Sequence, residues 1–272
     1  MASETTLAQI AKLAALSKQS RVVVVIPTYD ECETVVDIIA AVLAEQEYVK
    51  RFDLHVLIAD SHSKDGTLEI VQELAKTNHK VHWLDVQERG IGIGLYMGFR
   101  HAIDELGAEV LLEMDADFQH NPADIRRLLE RMSDGYDLVI GSRFAEGGIN
   151  NIPWYRRILS AGANHMLRTM LNLHGVTEIT TSYRAFTKEV FLRVDPETVP
   201  WRDKSFIFVP VFLVRMIDCG ANTAEIPMTL HPRTQGYSKM IYWKYARDIL
   251  WFSIKARFRS LNLTQSRPRH FR

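Results

Sequence analysis

The chain has little cysteine and no net charge: two cysteines in 272 residues, and 33 Lys+Arg against 33 Asp+Glu. Cys32 and Cys219 are far apart and lack metal-ligand spacing. That excludes a disulfide framework and suits a reduced, cytosolic-side protein in which both thiols pack as small apolar groups. Zero net charge removes the electrostatic case for a nucleic-acid partner. No apolar run nears the ~18 residues of a membrane span; the longest, Phe206 to Val214, contains Pro210. The opening residues have no signal-peptide pattern. Leu7, Ile10, Leu13 and Leu16 recur at helical spacing, so residues 1–20 are expected to form a short helix or an arm. There is no internal repeat and no low-complexity linker. With 47% hydrophobic and 24% charged residues, the composition suits one large α/β domain or two small ones.

What is present is an alternation of strand and helix signals. Arg21 to Ile26 is a β-branched run with the look of a fully buried strand. Further strands are predicted at His55–Ala59, Val81–Leu84, Glu109–Met114 and Tyr136–Gly141, with helices carrying Val35/Val36/Ile39/Leu43, Leu68/Val71/Leu74/Ala75, Gly90 to Leu106 and Pro122 to Met132 between them. Such alternation predicts a parallel sheet of right-handed βαβ units. Gly90, Gly92 and Gly94 miss the spacing of a dinucleotide fingerprint and follow the third strand, which argues against that reading. Four loops then face one sheet edge: 27–31, 60–67, 89–94 and 115–119. Open α/β sheets bind ligands there.

The stretch Leu111 to Pro122, LLEMDADFQHNP, is the most informative. A buried strand ends, Asp115, Asp117 and Gln119 place three oxygen ligands just beyond it, and Asn121-Pro122 has the form of a helix start. Asp115 and Asp117 can converge on one centre, and hard oxygen ligands suit Mg²⁺ or Mn²⁺ with substrate phosphates completing the shell. An acidic loop feeding a helix N-terminus is the plainer alternative. For Asp60, and for Asp65-Gly66, turn chemistry stands beside a role in holding a base. For Arg143, Arg156, Arg157, Arg233 and Lys239 the alternative is an ordinary surface ion pair; for His120 and His231 it is capping or loop packing.

Taken in order, Pro-Thr-Tyr-x-Glu at 27–31, Ser-x-Asp-Gly-Thr at 63–67, Gly-x-Gly, Met-Asp-Ala-Asp-x-Gln-His-x-Pro at 114–122 and Gly-Ser-Arg at 141–143 resemble the family 2 inverting glycosyltransferases. Arg156 to Asn164, Thr180 to Ala185 and His231 to Lys239 draw the likeness toward polyprenyl-phosphate and dolichol-phosphate mannosyltransferases. The resemblance implies a GT-A fold, that is, a Rossmann-like nucleotide-binding sheet flanked by helices, over residues 21–238. It implies transfer of a hexose, mannose from GDP-mannose first, to a polyprenyl or dolichyl phosphate. Other family members would use UDP-glucose, another donor or a non-lipid acceptor; a non-catalytic nucleotide-sugar-binding subunit is the remaining alternative. Carried over by position, Pro27, Tyr29 and Glu31 would line the nucleotide, and Ile58 and Asp60 would hold its base. Asp115, with Ala116 beside it, would reach the ribose region. Asp117 and Gln119 would ligate the metal. Arg143, Arg233 and Lys239 would meet phosphates, Arg143 and Asp117 serving catalysis, and Arg157 and Ser160 would hold the acceptor phosphate. The chain departs from the family pattern at Ser61 (usually Asp), Ser182 (usually Gly), Tyr237 (usually Glu) and Val211 (usually acidic), which bears on donor and acceptor identity.

A lipid phosphate is already largely anionic near neutrality, its second pKa being about 6, so attack on the sugar carbon needs little general-base help. Inversion by a single in-line displacement follows. In the last third, helices are expected at Trp154–Leu171, Ser205–Cys219 and Ile241–Phe258, with Glu225-Ile-Pro as an edge strand. From Lys239 to Arg272 nine Lys/Arg face one acid, Asp248. With Tyr242, Trp243, Tyr245, Trp251, Phe252 and Phe258, the segment 239–272 suits an anionic bilayer surface, or else a helix packed on its own domain with a basic tail. The expected location is peripheral, at the cytosolic face of a membrane, with room for a small membrane-anchoring subunit.

Overall fold

The computed structural model describes residues 19–173, 175–203, 205–233 and 242–263, without the side chains of 242, 243 and 255–263. The expected N-terminal arm, Lys239, Tyr237 and the end of the basic tail lie outside the described residues.

Nine strands are described: β1 (Ser20–Thr28), β2 (Phe52–Asp60), β3 (Val81–Asp85), β4 (Val110–Glu113), β5 (Leu138–Ser142), β6 (Ile149–Asn150), β7 (Arg184–Thr187), β8 (Thr223–Pro227) and β9 (Thr229–Leu230). The helices are α1 (Val35–Ala44), α2 (Thr67–Thr77), α3 (Ile91–Asp104), α4 (Ile125–Ser133), α5 (Trp154–Leu171), α6 (Lys188–Arg193), α7 (Phe208–Asp218) and α8 (Tyr242–Leu263). Seven strands form one sheet in the order β3-β2-β1-β4-β7-β5-β8, while β6 and β9 pair separately.

The sheet is mixed, not wholly parallel as the alternation predicts, because β7 runs antiparallel between β4 and β5. This strand is only Arg-Ala-Phe-Thr, all four residues buried. A charged residue at its start hides it from a search for apolar runs. β8 lies at the sheet edge, as expected for Glu225-Ile-Pro. The helix expected from Pro122 starts as a single 3-10 turn, Pro122–Asp124, with Asn121 as N-cap accepting from Ala123 N at 3.1 Å.

Strand alternation divides the core. Val22, Val24 and Ile26 pack with Val35 and Ile38 of α1 and Leu128 of α4 on one face. Val23 and Val25 pack with Phe99 of α3 and Phe208 and Phe212 of α7 on the other. Successive strand side chains must point to opposite faces, so β1 is covered on both sides. Glycine lets α3 lie close: a Cβ on Gly98 would sit 2.6 Å from Val25 Cγ1, and one on Gly92 2.8 Å from Phe208 Cβ. Gly92 and Gly98 thus serve helix packing.

Candidate active site

The four loops at the carboxyl ends of β1, β2, β3 and β4 meet, as expected, around one cavity of about 540 Å³. Pro27, Tyr29 and Glu31 come from the first loop, Ser61 from the second, Arg89 and Gly90 from the third, and Asp115, Ala116, Asp117 and Gln119 from the fourth. The loops are held in unusual backbone: Asp30 (φ 51°), His62 (φ 57°) and Phe118 (φ 58°) all take the left-handed conformation. For an aromatic side chain this is uncommon and costs energy. At Phe118 it makes the sharp turn that separates Asp117 from Gln119. The Arg89 guanidinium lies over the Tyr29 ring, 3.9 Å from its centroid.

The acidic corner is buried and charged. Asp117 is 3% exposed; its Oδ1 accepts from Gln119 N at 3.0 Å, and its Oδ2 pairs with Arg233 at 2.6 Å. Asp115 Oδ1 accepts from Ser182 Oγ at 2.9 Å. Burial pushes the Asp115 carboxyl up to about 6 and, with the neighbouring Asp115 charge, raises Asp117 too. Segment 229–233 is tied to this corner by a reciprocal pair: His231 N donates to Gln119 O at 3.0 Å and Gln119 Nε2 donates to His231 O at 3.1 Å. That pairing delivers Arg233. His120, buried and held neutral with its pKa lowered by burial to about 4, accepts from Asp115 N at its Nδ1 and stacks on Tyr183 at 4.8 Å.

The opposite wall comes from later segments: Arg143, Ile152, Arg156, Leu159, Ser160 and Ala163, then Thr180 to Ser182, and Tyr245 and Ala246 of α8. Arg143 is not a surface ion pair. Its Nε and Nη2 reach Glu178 at 2.6 and 2.9 Å, with both side chains buried. Glu178 is desolvated, which opposes ionisation, yet Arg143 holds it below the usual carboxylate range. Asn164 and Thr180 complete this network. Leu159 lines the cavity while 48% exposed, so it marks the rim.

Several expected residues are placed elsewhere. Ile58 is fully buried in the core and its side chain does not line the cavity. Asp60 is also fully buried, and its carboxylate accepts from Thr28 Oγ1, Ser63 N and Ser63 Oγ at 2.6–2.8 Å; the turn reading describes it. Arg157 is exposed and outside the cavity, whereas Arg156 lines it. Helical geometry is the reason: 156, 160 and 163 share a face at i, i+4 and i+7, and 157 points away. Sequence reasoning missed His120 and Tyr245 as cavity residues, and Glu178 as the buried partner of Arg143. His120 carried a signal, since it stands inside the acidic motif. Glu178 and Tyr245 carried none, being placed by distant chain.

The profile of glycosyl transferase family 2 matches residues 23–194. The chain belongs to that family. This family 2 glycosyltransferase is 37% identical over 223 residues to a polyprenol monophosphomannose synthase of Mycolicibacterium smegmatis, covering 81% of each chain. It is 35% identical to an undecaprenyl-phosphate mannosyltransferase of Micrococcus luteus, covering 81% of this chain and 87% of that one. A dolichol-phosphate mannosyltransferase of Pyrococcus furiosus is 28% identical, with 84% and 62% covered. Among solved structures, the fold matches glucosyl-3-phosphoglycerate synthase of Mycobacterium tuberculosis bound to UDP (TM-score 0.63, 17% identity, 91% and 84% covered). It also matches a mannosyltransferase of Pyrobaculum calidifontis bound to GDP-mannose and Mn²⁺ (TM-score 0.56, 19% identity, 92% and 74% covered). The GT-A expectation is met: a parallel-dominated sheet flanked by helices, with the motif loops on one edge.

Proposed function

We propose that this glycosyltransferase moves mannose from GDP-mannose to a polyprenyl phosphate, with inversion and with Mg²⁺ or Mn²⁺ at the acidic corner. The observation that carries the lipid-phosphate part is the construction of α5. One face of this helix, through Arg156, Ser160 and Ala163, lines the same cavity as Asp115 and Asp117. Beside it Trp154, Tyr155, Ile158 and Leu159 are 48–72% exposed. α8 repeats the pattern, with Tyr245 in the wall and Leu250 and Trp251 exposed at 47% and 59%. Basic and aromatic residues on a shared surface suit an anionic bilayer. The same two helices thus offer an acceptor wall and a membrane-facing surface. Among the described residues no helix is long and apolar enough to cross a membrane, and peripheral attachment at the cytosolic face fits this arrangement. The three curated relatives are named for transfer to polyprenyl or dolichyl phosphates.

The corner's donor set fits a hard divalent cation. Two carboxylates, both raised by burial, face a narrow space with one cation, Arg233, already drawn to Asp117. Among the described residues no three His, Cys, Asp or Glu side chains cluster as a ready ligand set. Asp117, with Gln119, would hold the ion and leave room for substrate phosphates, as Mg²⁺ sites commonly do. The ion would supply charge stabilisation to the departing diphosphate. Arg233 adds a guanidinium at the same corner, suited to phosphate by its fork of donors. Arg143, fixed by Glu178, presents a preorganised positive edge without reorganisation cost. On the acceptor side the nucleophile is an anionic phosphate oxygen, so the wall must orient it, not deprotonate it.

A panel of GDP- and UDP-sugars crossed with polyprenyl phosphates and soluble phosphates tests the reading. Mannosyl transfer from GDP-mannose to the lipid, with a β-linked product by NMR, is expected. Transfer only to a soluble acceptor, or a retained α-linkage, contradicts it. Vesicle flotation with anionic lipid tests the surface; binding unchanged when Trp154, Ile158 and Trp251 are all replaced by Glu would reject it.

A further inference from the structure

The segment Glu178 to Tyr183 touches both walls of the cavity. At its start, Asn164 of α5 donates to Glu178 Oε1 at 3.3 Å and to Thr180 Oγ1 at 3.0 Å, and accepts from Ile179 N at 2.7 Å. At its end, three consecutive side chains engage the acidic corner. Thr181 Oγ1 meets His120 Nε2 at 3.4 Å, Ser182 Oγ donates to Asp115 Oδ1 at 2.9 Å, and Tyr183 Oη donates to Asn121 O at 2.7 Å. Since His120 Nδ1 accepts from Asp115 N, its proton sits on Nε2, where it can donate to Thr181. The corner and the strap therefore interlock through backbone and side chain of the same aspartate.

We propose that Ser182 is a positioning residue that sets the Asp115 carboxylate, for which the family resemblance implies the ribose of the donor nucleotide. The two acids of the corner are tethered differently. Asp117 is fixed by Gln119 N and Arg233. The Asp115 side chain is 33% exposed, and among the described residues its carboxylate takes a side-chain hydrogen bond from Ser182, itself 8% exposed and in the cavity wall. A hydroxyl donor on one carboxylate oxygen selects one rotamer of a side chain that solvent would otherwise let turn. It leaves the other oxygen to accept from a sugar hydroxyl. A residue without a hydroxyl at 182 removes that selection and leaves the fold untouched, because Ser182 precedes β7 and makes no ladder contact. The inference rests on the nucleotide-sugar reading of the cavity.

The test is calorimetric titration of GDP, UDP and inorganic pyrophosphate, each with Mn²⁺, into the full chain and its Ser182→Ala and Ser182→Thr variants. Loss of a hydrogen bond to a charged group predicts about tenfold weaker binding of the preferred nucleoside diphosphate by Ser182→Ala. Pyrophosphate, which has no ribose, should bind within about twofold of wild type. Ser182→Thr, which keeps the hydroxyl, should restore the nucleotide affinity. Equal loss of pyrophosphate and nucleotide would mean a collapsed corner and overturn the inference. So would unchanged nucleotide binding by Ser182→Ala. Wild type that binds neither nucleotide would overturn the nucleotide-sugar reading itself.

Discussion

Three residues separate Glu113 from Asp117, and each carboxylate is paired with an arginine, yet the two pairs are built for different ends. Glu113 ends β4 directly opposite Arg184 of β7. Both are fully buried, joined through Nε and Nη2 at 2.8 and 3.1 Å, and Arg184 also donates to Val209 O at 3.0 Å. That pair is sealed from solvent, and among the described residues Arg184 Nη1 has no hydrogen-bond partner. Asp117 has passed the strand end and entered the turn at Phe118. Its arginine, Arg233, is 25% exposed and reaches Asp117 Oδ2 at 2.6 Å. The first pair pins an antiparallel strand into a parallel sheet; the second holds charge where a ligand can reach it. The same chemistry is structural inside the ladder and available beyond it.

The comparison breaks most sharply by neutralising one member of each pair. Asp117→Asn keeps the Oδ1 acceptor for Gln119 N, so its melting temperature should stay within about 2 °C of wild type. Transfer should fall roughly a thousandfold or more, as expected for a metal ligand at the reacting phosphate. Substantial activity in that variant, measured with the donor saturating, would remove the corner from the mechanism. Glu113→Gln should do the reverse. It leaves a buried guanidinium unpaired, which costs about 3–5 kcal/mol and lowers the melting temperature by roughly 10 °C in a domain of this size. A paired replacement, Glu113→Leu with Arg184→Met, should recover much of that loss. Denaturant melts of the single and double variants check it; additive losses would show that the pair is not a unit.

The same contrast explains what could be read in advance. The loops after β1 to β4 were legible because each short motif follows a strand within a few residues, so local sequence carries the geometry. The wall built from later segments was not. Glu178 finds Arg143 across 35 residues, Tyr245 comes from a helix beyond the family-matched region, and β7 is four residues long with a charge at its start. For Ile58 and Asp60 the fold adds what position in the chain does not carry: one side chain faces the core, and the other accepts from Thr28 and Ser63.

Arg156 and Arg157 give a smaller version of the comparison, since adjacent helical residues point about 100° apart. The structure places Arg156, not Arg157, in the cavity wall, and we propose that Arg156 takes the acceptor role expected of its neighbour. Arg156→Ala should weaken use of a polyprenyl phosphate about tenfold in kcat/KM, near the loss of one charged hydrogen bond, with the donor KM unchanged. Arg157→Ala should change acceptor use by less than about twofold with a short-chain acceptor in solution, as for an exposed cation. Equal defects would mean that the helix turns in the complex or that both contact the lipid.

The smallest expected effect lies on the β2–β3 side of the sheet, where two histidines and Asp53 form a third polar cluster. His55 and His82 are stacked, with His55 Nδ1 2.9 Å from His82 Nε2, and His55 Nε2 lies 2.8 Å from Asp53. Asp53 accepts, so His55 Nε2 carries a proton, its Nδ1 accepts, and His82 donates. A second proton on His82 would find burial, His55 and the nearby Arg21, His101 and His79 against it, and its pKa falls to about 4. The unfolded state binds that proton near 6.5. Between those values the unfolded chain holds more protons, so stability must drop as pH falls from about 6.5 to 4. Asp53 does not offset this. Burial works against its ionised form, but hydrogen bonds from His55 and Lys80 lower it to about 2, so its stabilisation is constant down to about pH 3.8 and is lost only below. His82→Gln retains a donor toward His55 and removes the titrating ring. Urea melts from pH 7 to 4 should show wild type losing on the order of 1–2 kcal/mol more than the variant. The same slope in both proteins would place the acid sensitivity elsewhere, and His55 and His120, both lowered by burial, would be the next place to look, since the raised carboxylates of the cavity act in the opposite direction.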